Sequence, residues 1–564
     1  MLFKRFSKLA VLLLAATLVL GLSLAAVPLA NTPALAASQA HITIMQTSDL
    51  HGNIYPIDYF KDKPSNVGLA KINTLVQKIR QENPNSLLID TGDTIQGTPL
   101  VYYHNKMDNA PVDPMMAVMN YMKYDSMTVG NHEFNFGLPV LNKAKKEAQF
   151  PWLAANIYTT DGKNAFVPYI VKKVAGVKIG ILGLTTQAIP TWEQPANYAG
   201  LVFKDLIEEG KKWVPVLRNK EKVDVVVITA HSGFEKDPDT GKELGGQTPL
   251  ENQIYGLATT VPGIDVILIG HAHSKIPQKT VNGVLITEPE RWGSVLGRID
   301  LTLEKPGLFS PWKLVEKKST LIPVDDTVAA DPKILEMGKP YHEAAQNWMN
   351  SVIGEATGDF IGAEAQIKDT AIMDLVQKVQ MEAGKADLSI AAMFNPSAAI
   401  PKGPVTVRQL FSVYIYDNTL YVIEVTGQQL KDALEHSAKF YNTYTPEAGF
   451  SINKDIRGYN YDMVQGINYE IDVTQPVGSR IKNMTYKGQP VEMNQKFKLA
   501  LNNYRVTGGG GYLMFKNAPV IYKSSDEIRN LMIDYVKEHK VLSPDVDNNW
   551  RIVPETVTPT LTVK

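Results

Sequence analysis

Short apolar runs rich in β-branched residues alternate with helical patterns between His41 and about Asp300, and this alternation constrains the fold most. Strands that alternate with helices build α/β sheets, in which the helices cover the sheet faces. The predicted strands share a high apolar content and span residues 41–47, 86–90, 126–129, 177–183, 223–229 and 266–269. The sequence therefore predicts an α/β domain in this half of the chain.

A second unit follows a break in this rhythm. The charged, proline-containing stretch 304–332 ends with Asp331 and Pro332, an N-cap and a first-turn proline that predict the start of an exposed connecting helix. The residues after this helix mix helical and strand-like patterns, which favours an α+β domain. The predicted divisions are a signal peptide over 1–36, a first domain over 40–330, a connecting helix over 331–353, a C-terminal domain over 354–554 and a tail over 555–564.

The N-terminus has the features of an export signal. Three basic residues precede an apolar stretch over 9–30, and Ala34 and Ala36 then supply the small residues that a signal peptidase requires. We therefore predict cleavage before Ala37 and a protein that is secreted or held in the cell envelope. Because the apolar stretch is long enough to span a bilayer, a retained N-terminal anchor is the alternative. No later segment is apolar over this length, so no membrane span is expected after cleavage.

Composition excludes several kinds of site. The 564 residues include no cysteine, which excludes disulfides, thiolate zinc sites, iron–sulfur clusters and a cysteine nucleophile. Any metal must therefore be bound by oxygen and imidazole ligands. Lys and Arg number 57 against 58 for Asp and Glu, so the chain lacks the basic field that holds a phosphate backbone. We expect a monomer that acts on small molecules and has no polymeric nucleic acid as partner.

Polar side chains of metal-binding types follow directly after five of the predicted strands. Because the carboxyl ends of strands in an α/β sheet meet at one edge, these side chains can converge. Each alone is weak evidence, since a strand-end aspartate is more often a turn residue and a lone histidine is more often structural. In combination they predict a metal site, and the candidate ligands are Asp49, His51, Asp93, Asn131, His231, His271 and His273.

Seven ligands are too many for one zinc and suit two divalent cations that share a carboxylate. Two cations roughly 3.5–4 Å apart hold the attacking and leaving oxygens of a displacement at phosphorus, so the site predicts phosphoester hydrolysis. Ligands without sulfur allow zinc, manganese, iron or cobalt. His132 follows Asn131 but is left over from the ligand count, so we predict that it stabilises or protonates the leaving oxygen.

The motifs that carry these residues resemble those of the calcineurin-like metallophosphoesterases. Asp-x-His, Gly-Asp, Gly-Asn-His-Glu, Ala-His and Gly-His-x-His occur in this order, and the second domain narrows the resemblance to the bacterial 5′-nucleotidase and 2′,3′-cyclic-nucleotide 2′-phosphodiesterase family over about residues 41–550. The resemblance implies a four-layer α/β/β/α metal domain joined by a helix to a nucleoside-binding domain, with His132 as the catalytic histidine. It also implies two metals that share Asp93, one bound by Asp49, His51 and His273 and the other by Asn131, His231 and His271.

One position distinguishes two branches of this family. The 5′-nucleotidases carry an aspartate three residues after the catalytic histidine, whereas this chain has Asn135. A neutral amide orients an imidazole but does not stabilise its cation as a carboxylate does. Asn135 and the segments 414–420 and 502–505 are similar to the 2′,3′-cyclic-nucleotide 2′-phosphodiesterase/3′-nucleotidase branch.

The resemblance also implies a nucleobase site. It places the base between the rings of Tyr416 and Tyr504, with Asn418 beside them, and stacking of this kind accepts any base. Packing within ordinary strands is the alternative for the two tyrosines.

Together these observations predict a secreted enzyme that opens 2′,3′-cyclic nucleotides to 3′-nucleotides and then releases nucleoside and phosphate. The connecting helix is expected to let the C-terminal domain swing and carry a bound nucleoside to the metals. A 5′-nucleotidase or UDP-sugar hydrolase is the nearest alternative, which Asn135 disfavours. A secreted nucleotide-binding protein with purely structural metals is a second alternative, against which the complete ligand set and His132 argue.

Overall fold

A computed structural model of the protein describes residues 38–244, 250–307, 309–416 and 418–557. The predicted signal peptide, residue 417 and residues 558–564 of the predicted tail lie outside the described residues. Within the described ranges, no helix combines the length and the apolar character needed to cross a membrane.

The first domain contains two six-stranded mixed sheets. The strands of the first sheet are, in spatial order, Lys313–Pro323, Val295–Lys305, Ser38–Thr47, Ser86–Asp90, Ser126–Thr128 and Trp152–Leu153. Those of the second sheet are Lys275–Val281, Val284–Pro289, Val266–Ile269, Val225–His231, Val177–Thr185 and Tyr169–Val174. The central strands of each sheet run parallel, so their carboxyl ends share one edge.

Strand alternation builds the layers of this domain. Successive side chains of a strand point to opposite faces, so Ile44 packs against residues of the second sheet such as Ile181, while Met45 packs against the helices outside the first sheet. The second sheet is covered on its outer face in the same way. The predicted four-layer α/β/β/α fold is thereby confirmed. The principal helices are Leu69–Glu82, Pro99–Lys106, Pro114–Met122, Gly137–Glu147, Leu206–Pro215 and Ile254–Thr260.

The charged stretch that follows Glu304 is not merely a break between domains. Lys313–Pro323 pairs antiparallel with Val295–Lys305 and forms the edge strand of the first sheet. Most of its side chains are exposed or half-buried, and its lysines keep the free edge hydrophilic. An edge strand of this kind has no continuous apolar run, which is why the sequence pattern did not predict it.

The connecting helix spans Pro332–Met349. Asp331 caps it as predicted, since its carboxylate accepts hydrogen bonds from the backbone N–H groups of Lys333 and Ile334 at 2.7 and 3.3 Å. The helix does not reach residue 353, because the next strand begins at Val352. It is also less exposed than expected, since its buried residues join the cores of both domains.

The C-terminal domain is α+β, as predicted. Its main sheet consists of Asp462–Gln465, Leu388–Ala392, Lys496–Asn502, Thr419–Thr426 and Val520–Glu527. A second sheet consists of Gln489–Pro490, Ile481–Tyr486, Asn468–Asp472 and Trp550–Val553. The helices are Ala371–Gly384, Val407–Val413, Gly427–Ser437, Asn503–Val506 and Ile528–His539, and a three-stranded sheet of Gly403–Thr406, Val352–Ala356 and Val541–Leu542 adjoins the connecting helix.

Candidate metal centre and substrate cavity

Three of the predicted ligands meet beyond the ends of the first and second sheets. Asp49 Oδ1 lies 3.3 Å from His273 Nε2, and His273 Nε2 lies 3.1 Å from His51 Nε2. The backbone carbonyl of Gln96 accepts a hydrogen bond from His51 Nδ1 at 3.0 Å, which leaves the lone pair of His51 on Nε2. The three ligand atoms are close enough to bind one ion.

A second group lies beside the first. His231 Nε2 lies 3.0 Å from Asp93 Oδ2 and 3.1 Å from Asn131 Oδ1. Asn131 Oδ1 also lies 3.0 Å from His271 Nδ1. The structure therefore brings Asp93 next to the histidines of the second sheet, although Asp93 follows a strand of the first sheet.

Each histidine of the second group is fixed through its other ring nitrogen. The Thr91 carbonyl accepts from His231 Nδ1 at 2.7 Å, and the Glu251 carboxylate accepts from His271 Nε2 at 3.2 Å. These contacts leave Nε2 of His231 and Nδ1 of His271 turned toward Asn131. The tautomers are thus the ones that metal ligation requires.

The backbone is strained at the ligand positions. Five of the seven candidate ligands have a positive φ: Asp49, His51, Asp93, His271 and His273, at 48°, 46°, 59°, 77° and 53°. For residues other than glycine such a conformation costs of order 1–3 kcal/mol and clusters at functional sites. Sharp turns just past the strand ends aim these side chains at one point.

Glu133 holds the loops that carry Asp93 and Asn131. It is fully buried, and its carboxylate accepts hydrogen bonds from the backbone N–H groups of Asp93, Thr94 and Gly130 at 2.9, 2.6 and 2.7 Å. Burial, with the negative charge of Asp93, raises the pKa of Glu133. The glutamate of the Asn-His-Glu motif thus has a structural task that sequence alone did not reveal.

The donor set fits divalent cations. Burial lowers the pKa of His51 to about 4, so this imidazole is neutral and free to bind a metal at physiological pH. Burial would also lower the pKa of His231, but the negative charge of Asp93 outweighs it and raises that pKa to about 10. Buried carboxylates and imidazoles without sulfur suit zinc, manganese, iron or cobalt. The Asp and His groups are therefore compatible with divalent metal binding.

His132 stands at the border of the second group and is not one of its ligands. Its Nε2 lies 4.0 Å from Asp93 Oδ2, and about a third of its side chain is exposed. On the other side of the ring, Nδ1 donates to Asn135 Oδ1 at 2.6 Å. Asn135 in turn donates through Nδ2 to Glu193 Oε2 at 2.7 Å. Asn135 thus contacts the predicted catalytic histidine directly.

One large cavity connects the ligands with the predicted base site. Its volume is about 1640 Å³, and both domains contribute to its walls. The first domain supplies His51, Asn131, His132, His271 and His273, and the C-terminal domain supplies Phe394, Tyr416, Asn418 and Tyr504. The two tyrosines are exposed, at 41% and 40%, so their rings offer faces to a ligand in the cavity.

Several residues of this site were not predicted from the sequence. Glu193, Glu251, Arg291 and Trp192 all line the cavity, and Arg291 Nη1 lies 3.1 Å from His273 Nδ1. Arg291 follows the strand Val284–Pro289 and so obeys the same strand-end rule as the ligands. Trp192 ends the short helix Ile189–Trp192, and Glu193 and Glu251 lie in bends, where no periodicity marks them.

Comparison with known proteins agrees with this geometry. The calcineurin-like phosphoesterase family model matches residues 42–275, and the model of the 5′-nucleotidase C-terminal domain matches residues 352–517. A 2′,3′-cyclic-nucleotide 2′-phosphodiesterase/3′-nucleotidase from Salmonella typhimurium is 33% identical, over 92% of this chain and 90% of that protein. The trifunctional nucleotide phosphoesterase protein YfkN of Bacillus subtilis is also 33% identical over 92% of this chain, but this chain spans only 39% of that longer protein.

A crystal structure of a Staphylococcus aureus protein assigned as a 5′-nucleotidase, in complex with alpha-ketoglutarate, superposes with a TM-score of 0.78 at 28% identity. The match covers 91% of this chain and all of that one. Both domains and their order are therefore shared with known relatives over nearly the whole chain. The chain belongs to the calcineurin-like metallophosphoesterases with a 5′-nucleotidase C-terminal domain, the family of the 2′,3′-cyclic-nucleotide 2′-phosphodiesterase/3′-nucleotidases, and it is a phosphoric ester hydrolase.

Proposed function

We propose that the protein hydrolyses 2′,3′-cyclic nucleotides to 3′-nucleotides and then converts these to nucleoside and phosphate. The observation that carries this proposal is the single cavity that joins both ligand groups and His132 to Tyr416 and Tyr504. A nucleotide whose base lies between the two rings presents its phosphate toward the ligands. Relatives named for this pair of activities are 31–33% identical to the chain, whereas those named 5′-nucleotidase are 24–25% identical.

Two divalent cations would be held by Asp49, His51 and His273 and by Asn131, His231 and His271, with Asp93 between them. When bound, they would neutralise charge on the phosphoryl oxygens and lower the pKa of a coordinated water. His132 is placed to give a proton to the sugar oxygen as its bond to phosphorus breaks. Tyr416 and Tyr504 would hold the base by stacking, with Asn418 beside the rings.

The proposed organisation keeps the predicted divisions. The metal domain over 40–330 and the C-terminal domain over 354–554 each contain one of the matched family models. The connecting helix, Pro332–Met349, would act as the hinge of a domain swing. Residues 1–36 would direct export, so that the enzyme acts on extracellular nucleotides, as a monomer and without polymeric nucleic acid as partner.

Steady-state assays with 2′,3′-cAMP, 3′-AMP and 5′-AMP test this proposal. The expected result is a kcat/KM that is highest for 2′,3′-cAMP and 3′-AMP. A preference for 5′-AMP would instead assign the chain to the 5′-nucleotidases, the alternative that the Staphylococcus aureus structure favours. His132→Ala is the second test: unchanged turnover of every phosphoester in that variant would exclude His132 from the catalytic mechanism.

A further inference from the structure

We infer that Glu193 is a positioning residue for His132 and acts through Asn135. This inference rests on the proposed function, because it assigns a role to His132 in departure of the leaving group. Glu193 is 7% exposed and lies in a turn after the short helix Ile189–Trp192. Its Oε2 accepts from Asn135 Nδ2 at 2.7 Å, and Asn135 Oδ1 accepts from His132 Nδ1 at 2.6 Å. The three side chains form one hydrogen-bonded chain.

The carboxylate of Glu193 fixes the direction of this chain. An ionised carboxylate only accepts hydrogen bonds, so Asn135 must turn its NH₂ group toward Glu193 and its oxygen toward His132. The oxygen can only accept, so His132 must carry a proton on Nδ1. Nε2, which faces the ligand groups, is then the nitrogen that exchanges a proton with the substrate. Glu193 supplies the negative charge that Asn135 lacks, one side chain further along the hydrogen-bonded chain.

Glu193 is itself held in place by two other donors. Its Oε1 accepts from the backbone N–H of Gln194 at 2.6 Å and from Asn197 Nδ2 at 2.8 Å. Both donors require an acceptor at the Oε1 position, so an NH₂ group cannot occupy it. The other oxygen is therefore the one available to Asn135.

This geometry predicts what Glu193→Gln does. The donors at Oε1 keep the amide oxygen of the new side chain, so its NH₂ group faces Asn135. Asn135 must then reverse its own amide and present NH₂ to His132 Nδ1. His132 is then forced to carry its proton on Nε2 and to accept a hydrogen bond at Nδ1. In this tautomer it cannot pass the Nε2 proton to a leaving oxygen and remain a neutral imidazole with its hydrogen bond at Nδ1.

The proton step can be written in full for the intact chain. As the bond between phosphorus and the sugar oxygen breaks, the electron pair of that bond stays on the oxygen. The oxygen takes the proton from His132 Nε2, and the imidazole keeps the proton on Nδ1, hydrogen-bonded to Asn135. Water supplies the oxygen that forms the new bond to phosphorus, the proton that this water loses passes to solvent, and a proton from solvent then restores Nε2–H of His132.

The test compares three variants with a matched control. Glu193→Gln should lower kcat for 2′,3′-cAMP about 10- to 100-fold, with KM and bound metal nearly unchanged, because Glu193 contacts no candidate ligand in the described structure. The loss should be much smaller for bis(p-nitrophenyl) phosphate, whose leaving group needs no proton. Glu209→Gln is the control, since Glu209 is equally buried, at 6% exposed, and bonds to Tyr158 and Trp213 instead. It should leave kcat unchanged.

An exchange of the two side-chain types provides the decisive comparison. Asn135→Asp alone sets two carboxylates against each other and should be impaired. The double variant Asn135→Asp/Glu193→Gln restores every donor–acceptor pair with the charge beside His132, and should recover most of the wild-type kcat. A merely structural role for Glu193 does not predict this recovery.

Different results overturn the inference about Glu193 and the proposed function. Wild-type kcat in Glu193→Gln, or a double variant no better than Asn135→Asp, overturns the inference while leaving the proposed function intact. Absence of phosphoester turnover in the metal-loaded wild type overturns the proposed function itself. If Glu193→Gln does not fold, the comparison of Asn135→Asp with the double variant still decides, because recovery supports the inference and its absence overturns it.

Discussion

The buried ion pair between Arg505 and Asp462 should govern both the stability of the C-terminal domain and the shape of the base site. Both side chains are 1% exposed. Arg505 Nε donates to Asp462 Oδ2 at 2.6 Å and Nη2 donates to Oδ1 at 2.9 Å, which is a bidentate pair. The remaining donors reach the Tyr459 carbonyl, Asn460 Oδ1 and the Gly509 carbonyl at 2.6, 3.3 and 3.2 Å.

Asp462→Asn removes the charge and keeps the shape. Removal of one charge from a buried pair destabilises a protein by about 3–5 kcal/mol, because the other charge stays buried without compensation. For a domain of roughly 150–250 residues, each 1 kcal/mol lowers Tm by about 2–4 °C. We therefore expect the unfolding transition of the C-terminal domain to fall by about 6–20 °C.

The matched control is an exposed pair in the same domain. Arg551 Nη2 lies 2.6 Å from Glu470 Oε1, but the arginine side chain is 59% exposed. Exposed pairs contribute about 0.2–1 kcal/mol, so Glu470→Gln should shift Tm by no more than about 4 °C. Differential scanning calorimetry of both variants makes the comparison. An equal, small shift in the two variants would refute the assignment of stability to the buried pair.

The same pair connects stability with binding. Arg505 joins the segment of Tyr459 to the glycine-rich turn that follows Tyr504. Loosening these contacts should raise KM for nucleotides in Asp462→Asn measured below its Tm. KM for p-nitrophenyl phosphate, which has no base, should stay nearly constant. Equal increases in KM for both substrates would contradict the placement of Tyr504 in a base site.

Three further predictions follow from the site and its surroundings. Tyr416→Ala and Tyr504→Ala should each raise KM for 2′,3′-cAMP about 5- to 150-fold, the equivalent of about 1–3 kcal/mol of stacking per base, with little change for p-nitrophenyl phosphate. Burial and neighbouring carboxylates raise the pKa of Asp374 to about 7 and that of Asp369 to about 6. Their contribution to the free energy of unfolding is therefore fully present below about pH 4 and is lost as pH rises through 7. Asp374→Asn should flatten this fall in stability when Tm is measured from pH 4 to 8. Chelation should abolish turnover of every phosphoester, and restoration by zinc, manganese, iron or cobalt, with elemental analysis of the untreated protein, identifies the metal.

Strand ends were predictable from the sequence because their signal is local. An apolar run followed at once by Asp, His or Asn marks both the strand and the edge where its last side chains gather. Asp93 and His231 are far apart in the chain, yet this rule was sufficient to place them together, and the structure sets them 3.0 Å apart. Their roles as ligands remain predictions that metal analysis can test.

Residues outside that rule were not predictable. Glu193 is 58 residues from Asn135, and neither periodicity nor a motif connects the two. The strand Lys313–Pro323 was also missed, because an exposed edge strand carries charges where a central strand carries apolar residues. Both depend on tertiary neighbours, which a local pattern does not contain.

The contacts beside Glu193 also connect the chemistry to domain position. Gln194, the next residue, donates through Nε2 to the backbone carbonyl of Ser524 in the C-terminal domain at 2.6 Å. In the proposed swing, a movement that carries Tyr504 away from the ligands has to break this bond. In that swing, the turn that orients Asn135 and His132 would be fully braced only when the base site faces the metals. Proton delivery and substrate position would then be coupled through two adjacent residues, without any change at the metal ligands.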